Sequence, residues 1–214
     1  MKYGNVIGVG KTATVYEWEK DKALKLFYQG YPKKAVEKEF HNAQVINHMD
    51  FAKPKAYKVC FIEGRMGIVY DKIEGESLLN WLIKTGDLQG CAAYMAKLHK
   101  TIVRNRIKGV PNYKEFLKSN IKKALSTDSK KQKEVLRMLS KLKNGNTLCH
   151  GDFHPGNVLI SNCHTMVIDF MNVCHGDLLY DVARTVFLMQ YTPVPMEAEN
   201  REKLLQLKKT LADL

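Results

Sequence analysis

From Asn5 to Tyr70 the apolar residues come in short, largely alternating runs, whereas beyond Ser77 they recur at helical spacing. Asn5–Gly8 and Ala13–Glu19 read as strands around a turn of small residues, and Thr14-Val15-Tyr16-Glu17-Trp18 has strand-forming chemistry. Asp21-Lys22 marks a turn before a third strand, Ala23–Phe27. From Pro32 the spacing of Val36, Phe40, Ala43, Val45 and Ile46 predicts a helix. Two more strands, Ala56–Ile62 and Met66–Tyr70, flank the turn Glu63-Gly64-Arg65. Asp71–Glu76 is a connector. Helices are expected over Ser77–Lys84, Leu88–Val103, Tyr113–Leu125 and Lys130–Leu142, with Ser77 and Asp87 as N-caps. After Asn144-Gly145-Asn146 come a Gly/Pro-rich loop at 150–157 and two apolar strands, Val158–Ile160 and Met166–Ile168. A helix over Leu178–Tyr191, a break at Pro193 and Pro195, and a last helix from about Glu197 to Leu211 complete the chain. The pattern predicts an α+β protein: a strand-rich lobe over residues 1–72, a larger helical lobe over 73–214, and a ligand cleft between them.

Composition adds a compartment and a charge distribution. The five cysteines form no Cys-x-x-Cys pair, which fits reduced thiols in a cytosol. No signal-peptide pattern and no run of about 18 apolar residues is present, so a cytoplasmic protein without a membrane span is expected. Net charge is +12, and Lys84–Lys143 alone accounts for it, with 16 Lys or Arg against Asp87, Glu115, Asp128 and Glu134. Solvated helix faces explain such an excess. The alternative is an electrostatic funnel for an anionic partner. Nucleic acid is not favoured as that partner, because only Tyr94, Tyr113 and Phe116 interleave with the charge.

The chemistry concentrates in His150-Gly151-Asp152-Phe153-His154-Pro155-Gly156-Asn157. Phosphoryl transfer needs a carboxylate to orient the attacking hydroxyl and hard oxygens for a metal, on a rigid backbone. Asp152 and Asn157 supply those side chains five residues apart, Gly151 and Gly156 permit tight turns, and Pro155 stiffens the loop. Twelve residues after Asn157, Asp169 closes an apolar strand as Ile168-Asp169-Phe170, and Asn157 with Asp169 suits magnesium. An aspartate in a Gly/Pro loop is by itself a turn former. The composite of both segments is what points to chemistry.

These two segments resemble the aminoglycoside phosphotransferase and choline kinase superfamily, a branch of the bilobal protein-kinase-like fold. Protein kinases of the eukaryotic type carry His-Arg-Asp and Asp-Phe-Gly at these places, so Gly151 and Met171 favour the small-molecule branch. The resemblance implies that Asp152 is the catalytic base, that Asn157 and Asp169 ligate Mg2+, and that ATP is the phosphate donor. It extends to Ile7–Tyr16, similar to the family's nucleotide-covering loop, with Gly8, Gly10, Lys11 and Thr12 over the phosphates. Gly10-Lys11-Thr12 is not a Walker loop, because Asn5 stands where a glycine is needed and a strand follows instead of a helix. Lys25, between Leu24 and Leu26, matches the family lysine that contacts the α- and β-phosphates. Taken without the other motifs, a lysine there reads as the solvent face of a strand. Glu39 is its expected ion-pair partner, with Glu37 as the alternative. Asp71, Lys72 and Ile73 resemble the hinge whose backbone holds adenine. His99 is expected as a buried hydrogen-bonder, Asp181 as a tie to the catalytic-loop backbone and His150 as a loop brace. His154 either faces the substrate or braces the loop.

About 45 residues follow Asp169, fewer than in many members of the family, so an acceptor pocket that is small, open or completed by another copy of the chain is expected. The acceptor is a small hydroxyl compound such as a sugar, an amino alcohol, an aminoglycoside-like molecule or a phosphorylated metabolite. Two competing readings are a compact atypical protein kinase, which lacks a recognisable activation segment between Asp169 and Asp181, and a catalytically idle nucleotide-binding module.

Overall fold

The computed structural model describes residues 3–194 and 201–213. Its N-terminal part is a five-stranded antiparallel sheet of order β1-β2-β3-β5-β4, formed by β1 (Val6–Val9), β2 (Ala13–Glu17), β3 (Lys22–Phe27), β4 (Ala56–Ile62) and β5 (Arg65–Asp71). Helix α1 (Lys33–Ile46) is inserted between β3 and β4. Period-two alternation sends Leu24 and Leu26 of β3 to one face, where Val69, Tyr16 and Trp18 pack on them. Lys25 and Phe27 take the opposite face, with Phe27, Ile68, Val36, Ala43 and Ile46 in the main core. The buried stripe of α1 runs Val36, Glu39, Asn42, Ala43, Ile46. Two polar residues thus share an apolar stripe, and both must find partners inside the protein.

The C-terminal part is mainly helical: α2 (Leu78–Thr85), α3 (Leu88–Val103), α4 (Tyr113–Ala124), α5 (Ser129–Lys141), α6 (Leu178–Tyr191) and α7 (Arg201–Asp213). Ser77 and Asp87 cap α2 and α3, accepting from Asn80 N–H and Gly90 N–H. Short strands frame the functional loops: β6 (Glu76–Ser77), β7 (Thr147–Cys149), β8 (Val158–Ser161), β9 (His164–Val167) and β10 (Cys174–Gly176). They form a three-stranded sheet, β6-β8-β9, and a β7-β10 pair. Together the two parts have the bilobal α+β protein-kinase-like architecture. No described helix is long and apolar enough to cross a membrane.

The strands of the N-terminal sheet lie within two residues of the spans expected from periodicity. The two- and three-residue strands β6, β7 and β10 escaped, because so short a pairing is set by its partners and leaves no periodic pattern. The strand expected over Met166–Ile168 is instead His164–Val167, since Ile168 donates its amide to Asn157 O (3.0 Å) and Asp169 turns to a left-handed φ of +69°. The break at Pro195 and the helix start near Glu197 lie outside the described residues.

Asn42 joins the two parts. Its Nδ2 donates to the Phe170 and Met171 carbonyls at 2.8 and 3.4 Å, and the side chain is fully buried. Asn42→Leu removes both bonds and leaves two carbonyls wanting donors. The expected loss is about 1–3 kcal/mol in urea denaturation, with an unchanged m-value.

Candidate active site

The loop between β7 and β8 is fixed from beneath by one buried carboxylate. Asp181 of α6 accepts from His150 N–H (2.9 Å), Gly151 N–H (2.8 Å) and His99 Nε2 (3.0 Å). Burial alone would raise its pKa, but the bond and charge of His99 and the Gly151 amide overcome that and hold it below the ordinary value. Gly151 has φ +76°, and a Cβ there would lie 2.4 Å from Asn172 O, so the fold itself demands glycine. Arg184 Nε donates to Gly151 O at 3.2 Å. Phe153 is buried and stacks on His99 with centroids 4.4 Å apart. Pro155–Asn157 form a single 3-10 turn, and His154 Nδ1 accepts from Gly156 N–H at 3.1 Å. His154 is therefore a brace through Nδ1.

His150 is also a brace. Its Nε2 donates to Ile168 O at 3.2 Å, which fixes the proton on that nitrogen, and Nδ1 is buried without a partner. Burial lowers the pKa of both His150 and His154.

Asp152 and Asn157 face each other at the loop's mouth. Asn157 Nδ2 donates to Asp152 O at 2.9 Å and lies 3.4 Å from Asp152 Oδ2. That orientation leaves Asn157 Oδ1 without a hydrogen-bond partner among the described residues. Asp169 follows β9 in its left-handed conformation, which costs a non-glycine residue about 1–3 kcal/mol. The bonds of Ile168 to Asn157 and His150, and of Phe170 to Asn42, hold it there.

Lys25 Nζ completes the group, 2.7 Å from Glu39 Oε1 and 3.3 Å from Asp169 Oδ1. Burial pulls the Lys25 pKa down, yet the two carboxylates overcome it and leave it raised, so the ammonium stays charged. Burial pushes the Glu39 carboxyl up against the pull of Lys25. The 2.7 Å contact, with the Tyr70 hydroxyl donating to the same oxygen at 3.0 Å, keeps the pair ionic. Among the described residues Glu37 meets only Lys33, at 3.5 Å on the surface. Lys25 therefore lies on the α1 side of the sheet, not on a solvent face.

The glycine-rich loop is different in kind from the loop at 150–157. A Cβ on Gly8 would meet nothing nearer than Val15 Cβ at 3.6 Å, and one on Gly10 would meet Ala13 O at 3.4 Å. Neither glycine has a left-handed φ. The chain's own packing does not demand them. Lys11 and Thr12 stand at the tip, where Thr12 O accepts from Tyr28 N–H at 3.0 Å.

Within the expected hinge the fold already uses two backbone amides. Asp71 belongs to β5, its amide donates to Lys55 O (3.1 Å) and the Lys72 amide donates to Asp21 O (3.0 Å). The Asp71 carboxylate is taken by Lys22, Tyr57 and the Lys55 amide. Those two amides are engaged by the fold, and Ile73 N–H alone of the three donates to no backbone carbonyl among the described residues. Asn42, Tyr70 and Arg184 were not foreseen. Asn42 was legible as a second polar residue on the buried stripe of α1, three positions after Glu39.

A family model described as a phosphotransferase enzyme family matches residues 5–206. The chain belongs to that phosphotransferase family. Among solved structures it is similar to a thermostable mutant of an aminoglycoside phosphotransferase, APH(4)-Ia, in ternary complex with AMP-PNP and hygromycin B. Identity there is 15%, over 97% of this chain and 83% of that one, with a TM-score of 0.65. It is also similar to an amicoumacin kinase in complex with AMP-PNP, Ca2+ and its ligand, at 16% identity, 98% and 71% coverage and a TM-score of 0.59. A third is an aminoglycoside-3'-phosphotransferase of type VIII, at 14% identity, 99% and 92% coverage and a TM-score of 0.61. No curated protein sequence matches the chain.

Because His150 and His154 have lowered pKa values in the fold, the unfolded chain binds protons that the native family member refuses. Their contribution to stability is complete above the unfolded value of about 6.5 and declines as pH falls below it. Unfolding free energy is expected to drop between pH 7.5 and 5.5, by up to about 1.4 kcal/mol per pH unit per histidine. His150→Gln should flatten the slope.

Proposed function

We propose that this phosphotransferase is an ATP- and magnesium-dependent small-molecule kinase that phosphorylates a hydroxyl group. The observation that supports the reading is that Lys25 meets Asp169 and Asn157 meets Asp152, the two pairs being joined by the bond from the Ile168 amide to the Asn157 carbonyl.

Residues present fit the metal. Asn157 Oδ1 is left unengaged because its Nδ2 is committed to Asp152, and Asp169 offers the carboxylate oxygen not engaged by Lys25. Among the described residues no three His, Cys, Asp or Glu side chains form a closed metal cage. A pair of hard oxygens, completed by phosphates and waters, suits Mg2+. Bound there, the ion would neutralise charge on the β- and γ-phosphates.

The remaining roles belong to the chain. Lys25, kept cationic by its carboxylates, reaches the α- and β-phosphates. Gly8 and Gly10 leave space in which the amides of the β1–β2 turn can approach the phosphates, a use that explains glycines the fold does not require. Ile73 N–H is the hinge donor left for adenine. Asp152 orients the acceptor hydroxyl and takes its proton as the oxygen bonds to the γ-phosphorus. The bond from that phosphorus to the β-phosphate oxygen breaks, and ADP leaves. The loop is rigid because Asp181 and Arg184 hold its backbone, so Asp152 is positioned before substrate arrives.

Asp152→Asn tests the assignment. In an ADP-release assay over small hydroxylated acceptors, it should cut kcat by about 10²–10⁴-fold while leaving nucleotide affinity within about twofold. Normal turnover by this variant would remove Asp152 from the role of base.

A further inference from the structure

Helices α4 and α5 form an antiparallel hairpin that the proposed chemistry does not use. Hydrogen bonds tie it at both ends: the Tyr113 hydroxyl donates to Lys143 O at 2.6 Å, Lys114 Nζ donates to Leu142 O, and Gln132 Nε2 donates to Leu125 O at 3.1 Å. Tyr113 is buried with Cys149, Cys174 and Tyr180 and roots the hairpin in the body of the protein. Helix α5 packs chiefly on α4, so most of its circumference meets solvent.

Charge on the hairpin is one-sided. Residues 113–143 carry ten Lys or Arg against Glu115, Asp128 and Glu134, a surplus of seven. All ten are exposed except Lys114, which is half-buried. On α5, Lys130, Lys133, Arg137 and Lys141 recur at i, i+3, i+7 and i+11, which sets them in one stripe along the helix. A solvated, self-balanced helix face pairs its cations with carboxylates one turn away. Here none of the ion pairs among the described residues involves any of the ten. Asp128 instead caps α5, accepting from Lys131 N–H at 2.9 Å. Outside the described residues the chain has two side-chain carboxylates, Glu197 and Glu199, and two cannot neutralise a surplus of seven.

Apolar side chains stand within this charge. Met138 is 61% exposed and Leu142 50%, four positions apart and each next in sequence to a cation, Arg137 or Lys141. Basic residues around exposed apolar ones suit the interface of an anionic bilayer. Nucleic acid suits the hairpin less well. Nine of the ten cations are lysine, whereas base and phosphate recognition favours the arginine fork. Tyr113 is buried and Phe116 half-buried, so the hairpin has no exposed aromatic ring on which a base could stack.

The geometry points to the α4–α5 hairpin as a reversible docking surface for a bilayer containing anionic phospholipid. The ammonium groups meet the lipid phosphates, and Met138 and Leu142 enter between the headgroups. Docking needs no phosphoryl transfer and is independent of the kinase reading.

Co-sedimentation of the full chain tests this, with vesicles of phosphatidylcholine alone and of phosphatidylcholine with about 30% phosphatidylglycerol, at about 0.1 M salt. The chain is expected to pellet with the mixed vesicles, to stay in solution with phosphatidylcholine alone, and to be released from the mixed vesicles at about 0.5 M salt. Each basic residue near such a surface raises partitioning about fivefold, so changing Lys130, Lys133, Arg137 and Lys141 together to Gln should weaken it about 10²–10³-fold. Changing the three lysines to Arg should keep it. Met138→Ser with Leu142→Ser should weaken it about tenfold at unchanged charge. An unchanged urea midpoint in each variant separates lost docking from lost fold. If the fourfold variant lowers that midpoint, Lys133→Gln and Arg137→Gln alone decide, each expected to bind about fivefold more weakly. The proposal is overturned if the mixed vesicles do not bind the chain, if phosphatidylcholine alone binds it equally, or if the folded Gln variants bind like wild type. It is also overturned if duplex RNA displaces the chain from the vesicles and binds the Met138→Ser, Leu142→Ser variant like wild type, because the surface would then serve nucleic acid.

Discussion

Everything at this site is arranged around one buried ammonium group. Lys25 lies between Glu39 of α1 and Asp169 of the loop after β9, at 2.7 and 3.3 Å. A buried ion pair is poor evidence for stability, because desolvating both partners offsets most of their attraction. What it supplies here is position. An unpaired Lys25 or Glu39 in that setting would be strongly disfavoured, so strand β3, helix α1 and the Asp169 loop are held in a fixed relation. Tyr70 and Asn42 extend the same constraint, one to the carboxylate and the other to the backbone just beyond Asp169. A positive charge is thus fixed in place by the same contacts that join the sheet to the helical part.

The loop at 150–157 obeys a second, complementary constraint. Backbone amides in an irregular buried loop need acceptors, and Asp181 provides them for His150 and Gly151 while itself bonded to His99. The positive φ of Asp169 places conformational strain on one side of the site, countered by surrounding hydrogen bonds, whereas glycine takes the positive φ at 151 without strain. Rigidity on this side contrasts with the open space around Gly8 and Gly10 on the other. Such a division suits a reaction in which the base and metal oxygens are preorganised and the phosphates are covered on arrival.

Much of this was legible in the sequence, for identifiable reasons. Long elements with strong periodicity, such as α3 and α6, were read with their observed bounds, and the strands of the sheet were read from their alternation. The His150–Asn157 and Ile168–Phe170 segments announced themselves by composition and spacing. Lys25 could have been a surface residue by its neighbours alone. Its face is decided by register against Phe27 and by Glu39, 14 residues away. Which hinge amides remain available was not legible, because it depends on Lys55 and Asp21, and no local pattern reveals that. Strands β6, β7 and β10 were invisible for the same reason, as their existence lies in their partners.

The central claim is that Asp169, set by Lys25 and paired with Asn157, is where metal and nucleotide meet. Its most direct test is the magnesium dependence of AMP-PNP affinity in wild type and in Asp169→Asn, which keeps the side chain's size and removes its charge. Wild-type affinity should rise at least about tenfold with saturating Mg2+, and that gain should vanish in the variant. An equal gain in both proteins would contradict the account.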